Sequence, residues 1–298
     1  MCETNDVLYI LGNGFDRAHN LPTSYEDFHT WLNDNGDKPF IHAFEKLFSA
    51  IKDSKGKWCD LESALGNISL EHAIDVDVNY QYCCDEVRNE NSSHDTYRCG
   101  DNLRKVIKVL PSCLYEWTHS INLSKCANKY VLNGDSLFFS FNYTKTLEDV
   151  YEITSEKIIH VHGTIGNNDK LVVGYGNAQF ENSDFVPDMV GIDKELILNI
   201  LRENRKPVEI IIQEPTFKGF MQSISNVSSV IVFGHSCSLV DKPYFAEIAK
   251  NIKGDANWLF YVHNAENNKF VERYGDKIKH EHQTLKITNF SPIELLKK

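Results

Sequence analysis

The chain has 298 residues, 42% of them hydrophobic and 11% aromatic, which is enough to bury a substantial core and too apolar for a disordered chain. At roughly 150 residues per domain it fits two domains, or one large α/β domain with an insertion. A net charge of −11, with no basic cluster larger than Arg104, Lys105 and Lys108, excludes sequence-wide nucleic-acid binding, and no apolar run reaches bilayer length.

Val7–Leu11 is a continuous apolar run ending in Gly12-Asn13-Gly14. Continuous rather than alternating apolarity predicts a parallel strand covered on both faces, delivering the chain to a glycine-rich loop. Residues 30–130 differ. Helical periodicity recurs at Ile41–Ile51, Leu61–Ile68 and Leu103–Leu123, and strand runs are few. Glu71 to Asp95 carries seven acidic residues and one Arg, which predicts a surface loop or weak helix. Beyond residue 130 strands and helices alternate. Ser136–Phe141, Lys157–Val161, Ser229–Phe233 and Trp258–Val262 read as strands, with Leu171–Val173 a shorter candidate. Thr144–Tyr151, Lys194–Asn204 and Tyr244–Ile252 read as the helices between them. The pattern predicts a parallel α/β domain over 1–29 and 131–298, with a mainly helical insertion at 30–130.

None of the eight cysteines forms a C-x-x-C pair, so a zinc ribbon is not expected, and adjacent Cys83 and Cys84 read as small hydrophobes. The first residues hold no basic region and no cleavage pattern, so the expected compartment is the cytoplasm.

Four polar clusters follow predicted strands. Gly12, Asn13 and Gly14, with Asp16 close behind, would let backbone N–H groups approach a phosphate; the plainer reading is a tight turn. Asn142 and Thr144 follow the second strand, where they could meet a ligand hydroxyl or cap the next helix. His160 and His162 stand two apart, so on one strand both imidazoles would share a face, with His162 at a wet strand mouth before Gly163. Gly234, His235 and Ser236 follow a further strand, and Asp241 and Pro243 suit the start of the next helix. Ligands of doubly wound sheets bind at strand carboxyl ends, so Gly12, Gly14, Asn142, His162 and Gly234 are expected along one cleft.

Several of these blocks carry a resemblance. Gly12-Asn13-Gly14-Phe15-Asp16, Ala18-His19 and Leu21 through Phe28 resemble the opening of the bacteriophage abortive infection AbiH family. Trp58, Asp60-Leu61-Glu62, Leu65-Gly66, Phe141 through Thr144, His160 through Gly163, and Gly234 through Phe245 resemble its later blocks, in order. More distantly, the order of Gly-rich loop, Leu-Pro, Asn-Tyr, His-Gly and a Gly-x-Ser block is similar to the Sir2-type NAD-binding fold, a Rossmann-like parallel sheet. That similarity implies dinucleotide binding by Gly12, Asn13 and Gly14, ribose contact by Asn142 and a catalytic His162. Asp16, Thr144, Gly234, His235, Ser236 and Asp241 would complete the ligand set. The chain departs from the Sir2 pattern where Thr144 replaces an Asp, and it lacks a four-Cys zinc module, which argues against deacetylation and for simple hydrolysis.

The resemblance implies hydrolysis of NAD+ at the nicotinamide–ribose bond as an anti-phage response, with NAD as substrate or ligand and no metal expected. Two alternatives are an NAD-derivative sensor without turnover and a metal-dependent phosphoesterase or nuclease using His160, His162, His235 and Asp16. The expected partner is a small nucleotide; no membrane is expected, and homo-oligomerisation and a phage-derived trigger stay open.

Overall fold

The computed structural model describes residues 6–48, 58, 60–79, 98–166, 171–176, 191–261 and 286–288. In chain order the elements are β1 (Val7–Leu11), α1 (Asn13–Ala18), α2 (Tyr25–Asn35), α3 (Lys38–Leu47), α4 (Leu61–Gly66), α5 (Leu70–Asn79) and α6 (Asp101–Ser120). There follow β2 (Leu137–Ser140), α7 (Thr146–Tyr151), β3 (Ile158–His160), α8 (Lys194–Arg202), α9 (Val208–Ile211), α10 (Pro215–Ser223), β4 (Ser229–Phe233), α11 (Lys242–Asn251), β5 (Asn257–Tyr261) and β6 (Lys286–Thr288). Two compact units result. One takes Met1–Thr23, Thr118–Leu171 and Pro207–Lys298; the other takes Ser24–Trp117 and Val172–Lys206.

The first unit holds a six-stranded sheet in the order β3-β2-β1-β4-β5-β6, with every pairing parallel. This is the Rossmann-like α/β architecture that the continuous apolar runs predict. Two buried layers explain those runs. Leu8 and Ile10 face one core with Phe139, Val230, Val232 and Trp258, closed by Phe217 and Phe220 of α10 and by Tyr244, Phe245 and Ile248 of α11. Tyr9 and Leu11 face the other core with Phe138 and Phe233, closed by Phe15 of α1 and Leu147 of α7. With apolar partners on both sides, alternation would leave one core unfilled. The strand order reverses between β1 and β4, and this topological switch point is where ligands of such sheets bind.

The second unit is helical among its described residues. Ser24 caps α2 in a capping box with Asp27, while Asp37, Asp60 and Asp193 cap α3, α4 and α8. Phe28 of α2 and Phe40, Phe44 and Leu47 of α3 are buried, as are Leu103, Val106 and Leu110 of α6. Lys206 is fully buried and its Nζ donates to Glu62 Oε1 at 2.6 Å.

Three expectations are corrected. The acidic stretch begins as a helix with a buried face, and Asp77 at its end is wholly buried. The Asp77 carboxylate accepts from the N–H groups of Gly100 (2.6 Å), Asn102 and Leu103 (both 3.1 Å), which satisfies the open start of α6. The remainder of that stretch, 80–95, lies outside the described residues. Leu171–Val173 is not a strand; the nearest pairing is a single bridge of Tyr175 to Arg205. Finally, α8, grouped by its position in the chain with the sheet's crossovers, packs instead on α5 in the helical unit.

Candidate functional site

All the residues described here belong to the sheet unit. At the switch point the loops after β1 and β4 meet backbone to backbone. A Cβ on Gly12 would lie 2.5 Å from His235 Cα, and one on Gly14 would lie 2.6 Å from Gly234 Cα. Gly234 has φ +68° and no room for a side chain against Phe15 N. The Gly12 N–H donates to Phe233 O (3.0 Å) and the Gly14 N–H to Gly234 O (2.8 Å). The glycines therefore serve close packing of two strand ends, and two of the amides expected to cradle a phosphate are engaged within the protein. Asn13 Nδ2 donates to Thr23 O (2.6 Å), and Ser236 is exposed.

On the α7 face Asp16 organises one polar network. Its side chain is buried, at 1% exposure. Thr144 Oγ1 donates to Oδ2 (2.6 Å) and Thr146 Oγ1 to Oδ1 (2.8 Å), with a further hydrogen bond from the Asn142 side chain. Burial dominates and raises the Asp16 pKa from 3.8 to about 6; the Thr144, Thr146 and Asn142 hydrogen bonds and the attraction of His160 oppose it. Neither Asn142 nor Thr144 caps α7, whose start makes no side-chain cap bond. Thr144, in the loop after β2, and Thr146, at the start of α7, instead latch that segment to α1. His160 belongs to the same region. Its Nδ1 donates to Asn142 O (3.0 Å) and its Nε2 meets Glu148 Oε1 at 3.0 Å. A carbonyl only accepts, so Nδ1 carries hydrogen.

The shared-face expectation for the two histidines fails. β3 ends at His160, the chain turns through Val161 and His162, and Gly163 has φ +79°. The strand period of two therefore stops before His162, whose ring packs on the α11 side against Phe141 (5.2 Å) and Tyr244 (5.7 Å). Nor does His162 face a wet cleft: it is 4% exposed. His162 Nε2 lies 3.8 Å from Asp241 Oδ1, and His235 Nε2 lies 3.4 Å from Asp241 Oδ2. Ser238 Oγ donates to Asp241 Oδ2 (3.1 Å), and the Cys237 N–H donates to His235 Nδ1 (2.8 Å). Asp241 occupies the N-cap position of α11, yet its side chain makes no cap bond. The Cys237 thiol is pushed up to about 12, chiefly by burial and also by the Asp241 charge, so it is not a nucleophile near neutrality.

The expected single cleft thus resolves into two buried networks, on opposite faces of the sheet's carboxyl edge, joined by the glycine contact. Among the described residues no three His, Cys, Asp or Glu side chains are grouped to hold a metal ion, and no helix is long and apolar enough to cross a membrane. The sequence pattern does not single out Thr146 or Ser238. Thr146, spaced two from Thr144, is a readable signal, whereas Ser238 becomes visible only through tertiary contacts.

Fold and site together define a doubly wound α/β protein with polar networks at its topological switch point. The bacteriophage abortive infection AbiH family matches residues 8–262, and the chain belongs to that family, which gives it a role in anti-phage abortive infection. No curated protein and no solved structure matches the chain.

Proposed function

We propose that the chain serves abortive infection by hydrolysing NAD+ at the nicotinamide–ribose bond. The observation that carries this reading is the His162–Asp241–His235 cluster. It holds two buried imidazoles and a carboxylate beside the switch point. Breaking an N-glycosidic bond builds positive charge at the ribose C1′, and the nicotinamide of NAD+ is already a cationic leaving group. The protein's task is to place a water and remove its proton. His162 takes that proton as the water oxygen bonds to C1′; the C1′–N bond breaks and nicotinamide leaves with the electron pair. ADP-ribose and nicotinamide are released, and the proton passes to solvent.

Asn142 has one side-chain bond to Asp16 and keeps amide capacity for a ribose hydroxyl. With the Gly12 and Gly14 amides engaged, the pyrophosphate falls to the Asn13 amide and the exposed Ser236 hydroxyl. Asp16 and Thr144 act on the loops rather than on the ligand. His162 is buried, so on this reading the site must open for substrate, and the trigger is the event proposed to open it. The test is to incubate purified chain with NAD+ and to quantify nicotinamide by chromatography, with and without chelator. Release insensitive to chelator supports hydrolysis as described. Release lost on chelation supports a metal-dependent reaction instead, and tight binding without product supports a sensor.

A further inference from the structure

We infer that Asp241 is the positioning residue of this site, one carboxylate shared by two imidazoles that fixes His235 as a neutral donor and leaves His162 to exchange the proton. The catalytic half of this inference rests on the proposed hydrolysis; the tautomer half does not.

Three observations converge. Asp241 stands directly before a helix with Pro243 in its first turn, where an Asp ordinarily accepts from the next N–H groups. A 3₁₀ turn over Leu239–Asp241 runs straight into α11, so Asp241 has helical backbone (φ −90°, ψ −3°) and makes no cap bond, and its carboxylate is buried facing His162 and His235. With the helical run begun a turn earlier, that carboxylate serves the two rings and the Ser238 hydroxyl rather than the start of α11.

Second, His235 has its hydrogens assigned by its neighbours. Nδ1 accepts from the Cys237 N–H, so it carries no hydrogen, and the ring's single proton sits on Nε2, facing Asp241 Oδ2 at 3.4 Å. Forming the imidazolium would break the Cys237 bond. Phe141 at 4.1 Å and Phe245 at 5.2 Å hold the ring in this pose. Neither ring nitrogen of His235 is thus placed to take a proton from substrate.

Third, His162 Nε2 lies 3.8 Å from Oδ1, beyond a direct hydrogen bond and well within electrostatic reach in a buried site. A proton arriving on His162 makes an imidazolium beside this carboxylate, so Asp241 stabilises the charged form created during reaction without touching substrate. A carboxylate oriented on an imidazole in this way raises its effectiveness as a base.

The test uses the full chain. In 15N-histidine spectra near pH 7, His235 of the wild type is expected as the neutral Nε2–H tautomer; an Nδ1–H tautomer or an imidazolium overturns the assignment, whether or not NAD+ is hydrolysed. Asp241→Asn is expected to lower kcat for NAD+ hydrolysis by about 10²-fold with KM little changed, and Asp241→Glu to recover part of it. Asp241→Asn keeps the volume of the buried side chain, so its melting temperature separates structure from chemistry: kcat should fall well beyond what any lost folded fraction accounts for. Unchanged kcat in Asp241→Asn, or a fall that merely tracks lost stability, overturns the positioning role. Absence of hydrolysis in the wild type, both as purified chain and in phage-infected cells, refutes the proposed function and the catalytic half together, while the spectra still decide the tautomer.

Discussion

Asp16 carries a pH signature that can be read with its sign. Its folded-state pKa of about 6 lies above the unfolded 3.8, so the native state holds its proton longer than the unfolded state. The associated stability is fully present below about pH 4 and is lost as pH rises through about 6, a change of about 3 kcal/mol. His19 acts oppositely. Burial lowers its pKa, its Nδ1 donates to Phe15 O (2.8 Å) and its Nε2 accepts from Tyr151 OH (2.7 Å), so stability falls as pH drops below the unfolded value of 6.5. Asp16→Asn should therefore gain stability relative to the wild type as pH rises from 4 to 7, by urea denaturation; a pH-independent difference would refute the assignment. His162 needs a different substitution from the one its sequence position suggests. It is packed against Phe141 and Tyr244, so His162→Ala should cost roughly 2–3 kcal/mol in a cavity alone. His162→Gln keeps most of the volume and should still lower NAD+ hydrolysis by about 10²–10⁴-fold. A Gln variant with near wild-type turnover removes His162 from the chemistry. The sequence placed both histidines near the carboxyl edge, but the strand period assigned them one face. The turn that parts them depends on where the ladder ends, and no residue between them announces it.

At the scale of elements the strands were the most legible feature. Val7–Leu11 and Ser229–Phe233 coincide with β1 and β4, because a strand buried on both faces must be apolar throughout. β6, three residues long and flanked by no apolar run, gave no such signal. The glycines were legible as special, though their partner was not: a Gly-x-Gly reads alike whether its N–H groups meet a phosphate or another strand's carbonyls. Gly14→Ala tests the packing role. Its Cβ would meet the Gly234 backbone, which cannot swing aside as a side chain does, so a loss of at least about 2 kcal/mol is expected by chemical denaturation. A neutral substitution would mean that the loops part readily. In the helical unit Glu62→Ala would remove a carboxylate paired with a fully buried Lys206 and should cost about 3–5 kcal/mol. A loss below about 1 kcal/mol would show that Lys206 finds equivalent partners or reaches solvent.

For the whole molecule, the alternation of strands and helices after residue 130 and the helical periodicity before it anticipated a parallel sheet plus a helical body. The segment 172–206 lies in the helical body, since strand and helix order along a chain does not record which core a helix joins. Membership in the AbiH family sets the biological frame, and the two polar networks at the carboxyl edge set the chemical one. The proposed NAD+ hydrolysis at His162, in a site that a trigger would open, would join the two. The most direct measurement is the NAD+ and nicotinamide content of cells expressing the wild-type chain or His162→Gln, followed through phage infection. The account predicts that NAD+ falls and nicotinamide rises in infected wild-type cells alone. NAD+ held at the uninfected level in wild-type cells that still abort infection would contradict it.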